Sequence, residues 1–236
     1  MARPSAKSGA GKVALDGNAV RTRRTRERIL AESLSLFNER GETHVTTGMI
    51  ADALNISPGN LYYHFRNKDE IVERLFDRFE ERIGIDPETA IDGPGAIEDL
   101  WLYLHLMLEG IWAFRFLYRN LDDLLARNRR LREHFNRIID RKFDIVVGLF
   151  EALVRARVMR ARNEEIHALA RNVLVVSTYW LNFRSLRAPR REAAATGDAD
   201  AEDLGQGAYQ VMALVAPYLV GEAREHLDRL GRKYID

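Results

Sequence analysis

Five residues suited to touching a polyanion fall within two helical turns of this chain. Between Ser57 and Phe65 the order is Ser-Pro-Gly-Asn-Leu-Tyr-Tyr-His-Phe, which groups Gly59, Asn60, Tyr62, Tyr63 and His64. A glycine lets another backbone come close, and a tyrosine hydroxyl or an imidazole nitrogen can donate to a phosphate oxygen. An asparagine amide can reach a base edge. Two tyrosines, a histidine and an asparagine are poor choices for a merely solvated face.

Two short helices around a tight turn must position them. Ile50, Ala53 and Leu54 recur at helical spacing from about Thr47, and Asn55 suits a turn. Ser57 can cap a second helix that has Pro58 at its first position, where the missing amide hydrogen had no partner anyway. Leu61 and Phe65, four apart, point inward with Ile56. That leaves Gly59, Asn60, Tyr63 and His64 facing out, with Tyr62 next to the inward face. Lys68 opens the following helix, beside the same surface. This arrangement predicts a helix-turn-helix whose second helix enters a DNA groove.

Flanking helices complete the unit. One is expected from about residue 25 to 40, with Ile29, Leu30, Leu34 and Phe37 on one face and Gly41 stopping it. Another carries Ile71, Val72, Leu75, Phe76, Phe79 and Ile83 before a loop from residue 84 to 95.

Charge agrees with an anionic partner through its distribution rather than its total. The 236 residues carry a net charge of only +1, yet residues 1 to 28 hold eight basic side chains against two acidic ones. The first twenty residues lack apolar periodicity and are expected to be disordered without DNA. Arg21, Arg23 and Arg24 lie nearest the first helix and are expected at phosphates or in a minor groove. With no cysteine, disulfides, thiolate chemistry and cysteine-based zinc sites are excluded. No apolar segment of signal-peptide type follows the early basic residues, and the charge-free stretch 172–183 is too short to span a bilayer. A cytoplasmic protein with no membrane association is expected.

Beyond Pro94 the apolar spacing stays helical, so the fold class is all-α, with helices expected at about 95–113, 115–127, 130–158, 163–187 and 203–231. Pro217 should kink the last of these. The segment 166–186 is apolar on nearly every side, and the last helix has a broad apolar face. The two suit a homodimer interface of four helices. Trp101, His105, Leu108 and Trp112 form an aromatic-rich stripe. With Phe143, Val147, Phe150, Tyr179, Trp180 and Phe183 they could line an apolar pocket with one imidazole to orient a ligand.

Enzyme chemistry finds little support. Glu164 and His167 have the spacing of one di-metal ligand pair, but that chemistry needs a second pair, and Glu222 and His226 are four apart rather than three. No glycine-rich phosphate loop occurs, so neither a metal nor a cofactor is expected.

Phe37-Asn-Glu-Arg-Gly41, Thr46-Thr47 with Ile50-Ala51, Ser57 to Phe65, and Asn67-Lys-Asp-Glu70 together resemble the TetR family of transcriptional regulators. The resemblance covers residues 24 to 84, about a quarter of the chain. It implies a homodimer with an N-terminal DNA-binding domain and a divergent C-terminal domain that binds a small effector. It also implies that Thr46, Thr47, Gly59, Asn60, Tyr62, Tyr63, His64 and Lys68 approach the operator. Gly48 departs from the family, where a charged or polar residue is more usual, so no base contact is expected there.

The expected organisation is a flexible basic arm (1–23), a DNA-binding domain (24–84) and an effector-binding and dimerisation domain (85–236). The expected function is a regulator, a repressor on the resemblance alone, that binds a palindromic double-stranded operator and is released by a small apolar or aromatic effector. The alternative is a regulator whose C-terminal domain docks a protein partner and binds no effector.

Overall fold

The computed structural model describes residues 10–84, 96–187 and 197–232. Its elements in order are α1 (Ala10–Arg40), a 3₁₀ turn (Glu42–His44), α2 (Thr47–Ala53), α3 (Pro58–His64), α4 (Lys68–Ile83), α5 (Ala96–Ala113), α6 (Arg115–Arg119), α7 (Leu121–Arg127), α8 (Arg129–Arg155), α9 (Asn163–Arg187), α10 (Gly197–Val215), a second 3₁₀ turn (Ala216–Tyr218) and α11 (Glu222–Arg232). Among the described residues there is no strand, and one antiparallel bridge joins Met159 to Leu219. The protein is all-α. Two compact units divide at Leu75 and Phe76, inside α4, rather than at the end of that helix near residue 84 as expected.

In the first unit α1, α2 and α3 pack on one another around Ile29, Phe37, Val45, Ile50, Leu61, Phe65 and Leu75, all fully buried. The caps follow the sequence. The Thr46 hydroxyl accepts from the Met49 amide at 3.2 Å, and the Ser57 hydroxyl accepts from the Asn60 amide at 3.2 Å with Pro58 at the start of the helix. Between the helices Asn55 takes a φ of 52°, a left-handed turn that asparagine tolerates well. Ala53, expected inward, is exposed, and Ala51 takes the buried place. The buried face of α2 runs between Ile50, Ala51 and Leu54, about 110° away from Ala53 at 3.6 residues per turn.

Helix α1 starts at Ala10, not near residue 25. The missing apolar periodicity in the early residues was read as disorder, but helical hydrogen bonding needs no apolar stripe. No proline follows Pro4 before residue 40, so a helix anchored by its packed half can propagate backward. The rest of the expected arm, residues 1–9, lies outside the described residues, as does the loop 85–95.

The second unit is built on α8, which packs against α5, α7 and α9, with α10 packed on α5 and α9. The single helix expected at 115–127 is two pieces, because Asn120, at φ −127° and ψ 32°, leaves helical geometry. The break allows Phe116, Leu117 and Tyr118 and then Leu121 and Leu124 all to be buried. Pro217 does more than kink its helix. Helix α10 stops at Val215, and α11 begins after the left-handed Gly221 (φ 59°). Proline has no amide hydrogen for the ladder and its ring crowds the preceding turn.

An aromatic cluster fixes the start of this unit. The Phe79 ring stands 5.8 Å from Phe76, 5.7 Å from Phe114 and 5.7 Å from Tyr118, and Tyr118 stands 6.1 Å from Phe135. Phe79 is wholly buried. Phe79→Ala is therefore expected to cost about 3–5 kcal/mol of folding stability, read as a lowered urea midpoint. A loss below about 1 kcal/mol would show that the cluster is not packed as described.

Candidate functional site

The outer face of α3 is formed by Gly59, Asn60, Tyr62 and Tyr63, all exposed, with Tyr63 at 75%. Thr47 on α2 joins them through its hydroxyl, 3.0 Å from the Tyr62 hydroxyl, and Thr46 is exposed beside it at the cap. These six residues form one polar surface across the two short helices. At Gly59 an added Cβ would meet nothing within 4 Å, so the fold itself does not require a glycine there.

His64 corrects the expectation. It is 7% exposed, not facing out. Its position three residues after Leu61 places it on the same helical face as Leu61 and Phe65. The side-chain Nδ1 has no hydrogen-bond partner, and the ring meets Tyr63 edge-on at 5.1 Å. Burial first, and the nearby Arg26 charge second, lower its pKa below the ordinary histidine value. Arg26 donates to the His64 carbonyl, lies 4.3 Å from the Phe65 ring centroid and comes within 3.9 Å of Glu70 Oε1. It thereby ties α1 to the end of α3 and the start of α4.

Lys68 also turns inward. Its Nζ donates to the Glu42 carbonyl at 2.9 Å and to the Val45 carbonyl at 3.2 Å, and it pairs with Glu42 Oε1 at 2.9 Å. Two of the three ammonium hydrogens thus go to backbone carbonyls, and the contact with Glu42 Oε1 is an ion pair. Glu42 itself is fully buried. Lys68 is thus engaged in holding the 3₁₀ turn that leads into α2. Arg21, Arg23 and Arg24 are exposed on α1 rather than on an arm preceding it.

The residues expected around a ligand do not form one set. Trp101, His105 and Trp112 share a half-buried stripe of α5. The Trp101 and His105 rings stack at 5.2 Å, and His105 Nε2 lies 3.3 Å from Glu109. Arg115 lies 4.9 Å from the Trp112 ring centroid. Leu108 and Phe150 are packed core. Phe143 and Val147 are half-buried on α8, with Arg171 at 5.3 Å from the Phe143 centroid. On α9, Tyr179 and Phe183 are exposed, so they do not sit in an enclosed wall. Trp180 packs over Gly207, where an added Cβ would come within 2.9 Å of the indole.

Two residues were missed. Lys142 is 6% exposed and Tyr103 is 8% exposed, with the Lys142 Nζ 5.9 Å from the Tyr103 ring centroid. Burial lowers the Lys142 pKa to about 8, and burial raises that of Tyr103. A signal did exist in the sequence, because Lys142 interrupts the apolar series Phe135, Ile138, Val146, Leu149 at a position where that series calls for an apolar residue.

His167 Nδ1 lies 2.8 Å from the Asn163 carbonyl and Glu165 is paired with Arg162. Among the described residues no three His, Asp or Glu side chains gather as a metal site. No described helix is long and apolar enough to cross a membrane.

A helix-turn-helix with an exposed polar recognition face, followed by a larger helical unit, defines a class of DNA-binding transcriptional regulators. Two family models match this chain, one described as bacterial regulatory proteins of the tetR family over residues 29–75, the other as a bacterial transcriptional repressor over residues 73–227. The protein belongs to the TetR family.

A TetR-family regulator from Marinobacter aquaeolei VT8 is 36% identical, with a TM-score of 0.76 over 89% of this chain and 98% of that one. The regulator AcrR of Shigella flexneri is 33% identical over 60 residues, 25% of this chain and 28% of its own. IcaR of Staphylococcus epidermidis, a negative regulator of a biofilm operon, is 34% identical over 74 residues, 29% of this chain and 40% of its own. The matches to these two curated relatives thus span well under two thirds of their lengths. Members of the family bind DNA, dimerise and bind small-molecule effectors.

Two outcomes follow from the inward residues. Lys68→Met leaves the Glu42 carboxylate buried without its cation and should cost about 2–4 kcal/mol in urea unfolding followed by circular dichroism. A change under about 0.5 kcal/mol would mean the pair contributes nothing to the fold. For His64 the folded pKa is below the unfolded one, so the unfolded chain binds the extra proton. Stability is then full above pH 6.5 and falls as pH drops from there through the folded pKa. Between pH 7 and 5 the native protein should lose more stability than His64→Gln, and equal slopes would show that His64 is not held neutral.

Proposed function

We propose that the protein is a homodimeric repressor that places one α3 helix in each of two successive major grooves of a palindromic operator and is released by a small apolar or aromatic effector. The observation that carries the DNA part is the outward face of α3. A glycine inside a helix costs about 1 kcal/mol relative to alanine, and among the described residues nothing lies within 4 Å of where a Gly59 side chain would begin. Its smallness is useful to a backbone approaching from outside. Tyr62, Tyr63, Thr46 and Thr47 then supply donors for phosphates, and Asn60 supplies an amide for a base edge.

Repression is supported by the description of the longer family model and by the negative regulation named for IcaR. The dimer reading is supported by α9, where Val175, Tyr179, Phe183 and Leu186 recur at spacings of four, four and three. All are exposed, Leu186 at 85%. Tyr209 adds an exposed aromatic on α10. Such a stripe in a second copy would be its own complement about a two-fold axis. The effector reading rests on the half-buried aromatic stripe of α5. An effector that prefers the dimer with its two heads at another separation weakens operator binding, and a coupling of about 1–3 kcal/mol corresponds to roughly five- to 150-fold. Genomic DNA as the partner supports a cytoplasmic location.

Fluorescence anisotropy with operator fragments selected from random sequence tests this reading. Tyr63→Phe should weaken binding to every fragment by about 0.5–1.5 kcal/mol, whereas Asn60→Ala should change base preference by about 1–3 kcal/mol at one position of each half-site. Replacing Arg23 and Arg24 by Gln should flatten the log–log salt slope by up to about 0.9 per charge. No sequence preference, together with no salt dependence, would overturn the DNA-binding face as drawn.

A further inference from the structure

The buried stripe of α8 reads Phe135, Ile138, Lys142, Val146 and Leu149, with every member at least nine-tenths buried. One lysine among four apolar side chains is costly, because a desolvated ammonium without a counter-charge opposes folding. Among the described residues, Lys142 has no hydrogen bond and no carboxylate within ion-pair distance. Its one contact of note is the Tyr103 ring on α5, 5.9 Å from Nζ to the centroid. The Tyr103 hydroxyl is equally buried and has no hydrogen-bond partner. Native proteins rarely leave such groups unsatisfied, and each case calls for a cause.

The ammonium can only donate and the tyrosine hydroxyl can donate, so a single acceptor could serve both, and the ammonium favours a negative one. Arg141, whose charge is felt at Tyr103, adds to the positive field. Lys142 and Tyr103 do not satisfy each other, since the Tyr103 hydroxyl has no hydrogen-bond partner. One carboxylate accepting from each at about 2.7–2.9 Å could bridge them. The surroundings on both helices are apolar, with Leu100, Met107 and Leu104 buried along the same side of α5.

We propose that Lys142 and Tyr103 form the seat for the carboxylate of an otherwise apolar monocarboxylic acid, the ammonium pairing with one oxygen and the tyrosine hydroxyl donating to the other. This rests on the reading of the second unit as an effector domain and sharpens it. The seat lies on the face of α5 opposite Trp101, so the effector is chosen by a buried cation and not by the His105 imidazole. The depressed Lys142 pKa is consistent with a cation awaiting its anion, since binding a carboxylate would raise it again.

The test uses the full-length protein with octanoate, dodecanoate and 2-naphthoate, each beside its own primary amide, at pH 7. Binding is read by thermal shift and by operator release in anisotropy. At least one acid should bind the native protein tenfold or more tightly than its amide. That preference should vanish in Lys142→Met and shrink at least threefold in Tyr103→Phe. Without ligand, Lys142→Met should melt at or above the native temperature, because an unpaired buried cation has been replaced by an apolar chain of similar length.

Acids binding no better than their amides, or a preference that survives in Lys142→Met, overturns the proposal. So does an unliganded Lys142→Met that melts well below the native protein, the behaviour of a lysine paired within the chain. If amides release operator as well as acids do, the carboxylate seat alone fails. If neither acids nor amides bind or release operator, the seat and the effector reading fail together for this class of ligand.

Discussion

The polar surface shared by α2 and α3 depends on the ion pair between Lys68 and Glu42. The 3₁₀ turn 42–44 must be compact enough to deliver Thr46 as the cap of α2, and its Glu42 carbonyl accepts from the Val45 amide at 3.2 Å. The Lys68 ammonium donates to the Glu42 and Val45 carbonyls and neutralises the buried Glu42 carboxylate. Because Lys68 is the first residue of α4 and Glu42 follows α1 closely, that one contact closes the chain on both sides of α2 and α3. Arg26 repeats the principle from α1 by reaching the His64 carbonyl and Glu70. Helix α3 has only seven residues, too short to be stable on its own, so its direction is set by these flanking contacts and by Leu61 and Phe65 beneath it.

The helix-turn-helix was legible because local chemistry and packing agree there. Ser57 before Pro58, Thr46 before an apolar series and Asn55 between them each have a single good use, and the structure uses them so. What failed was the sorting of charged and aromatic side chains by exposure. His64 and Lys68 were assigned to the outside from their chemistry, yet His64 lies three residues after Leu61 and follows it inward. Lys68 finds its acceptors 23 and 26 residues away in sequence, a distance at which periodicity carries no information. The same limit hid the break at Asn120, after which Leu121 is buried, whereas the chemistry of Pro217 announced a disturbance that became a full break.

The second unit was legible as helices but not as a site. Aromatic density drew attention to Trp101, His105 and Trp112, whereas the less conspicuous Lys142 is the residue whose environment is energetically anomalous. Fully buried Phe150 and exposed Tyr179 show why an aromatic list is a weak guide to a pocket: the same ring chemistry serves core, surface and ligand equally well. A buried charge has fewer uses. Its desolvation must be offset by something, and so its partner, or the absence of one among the described residues, carries more information than any count of tryptophans.

Stability and signalling place opposite demands on such a group. Replacing Lys142 by an apolar residue would favour the folded chain, so its retention makes sense if the folded state is meant to be incomplete until an anion arrives. An anion at this place would engage α8 through Lys142 and α5 through Tyr103 together, and α8 is the helix to which α5, α7 and α9 are all applied. Helix α4, continuous through Leu75 and Phe76, carries the Phe76 and Phe79 rings of the aromatic cluster that includes Phe135 of α8 and Phe114 at the end of α5. The electrostatic event and the aromatic packing at the foot of α4 therefore share two helices.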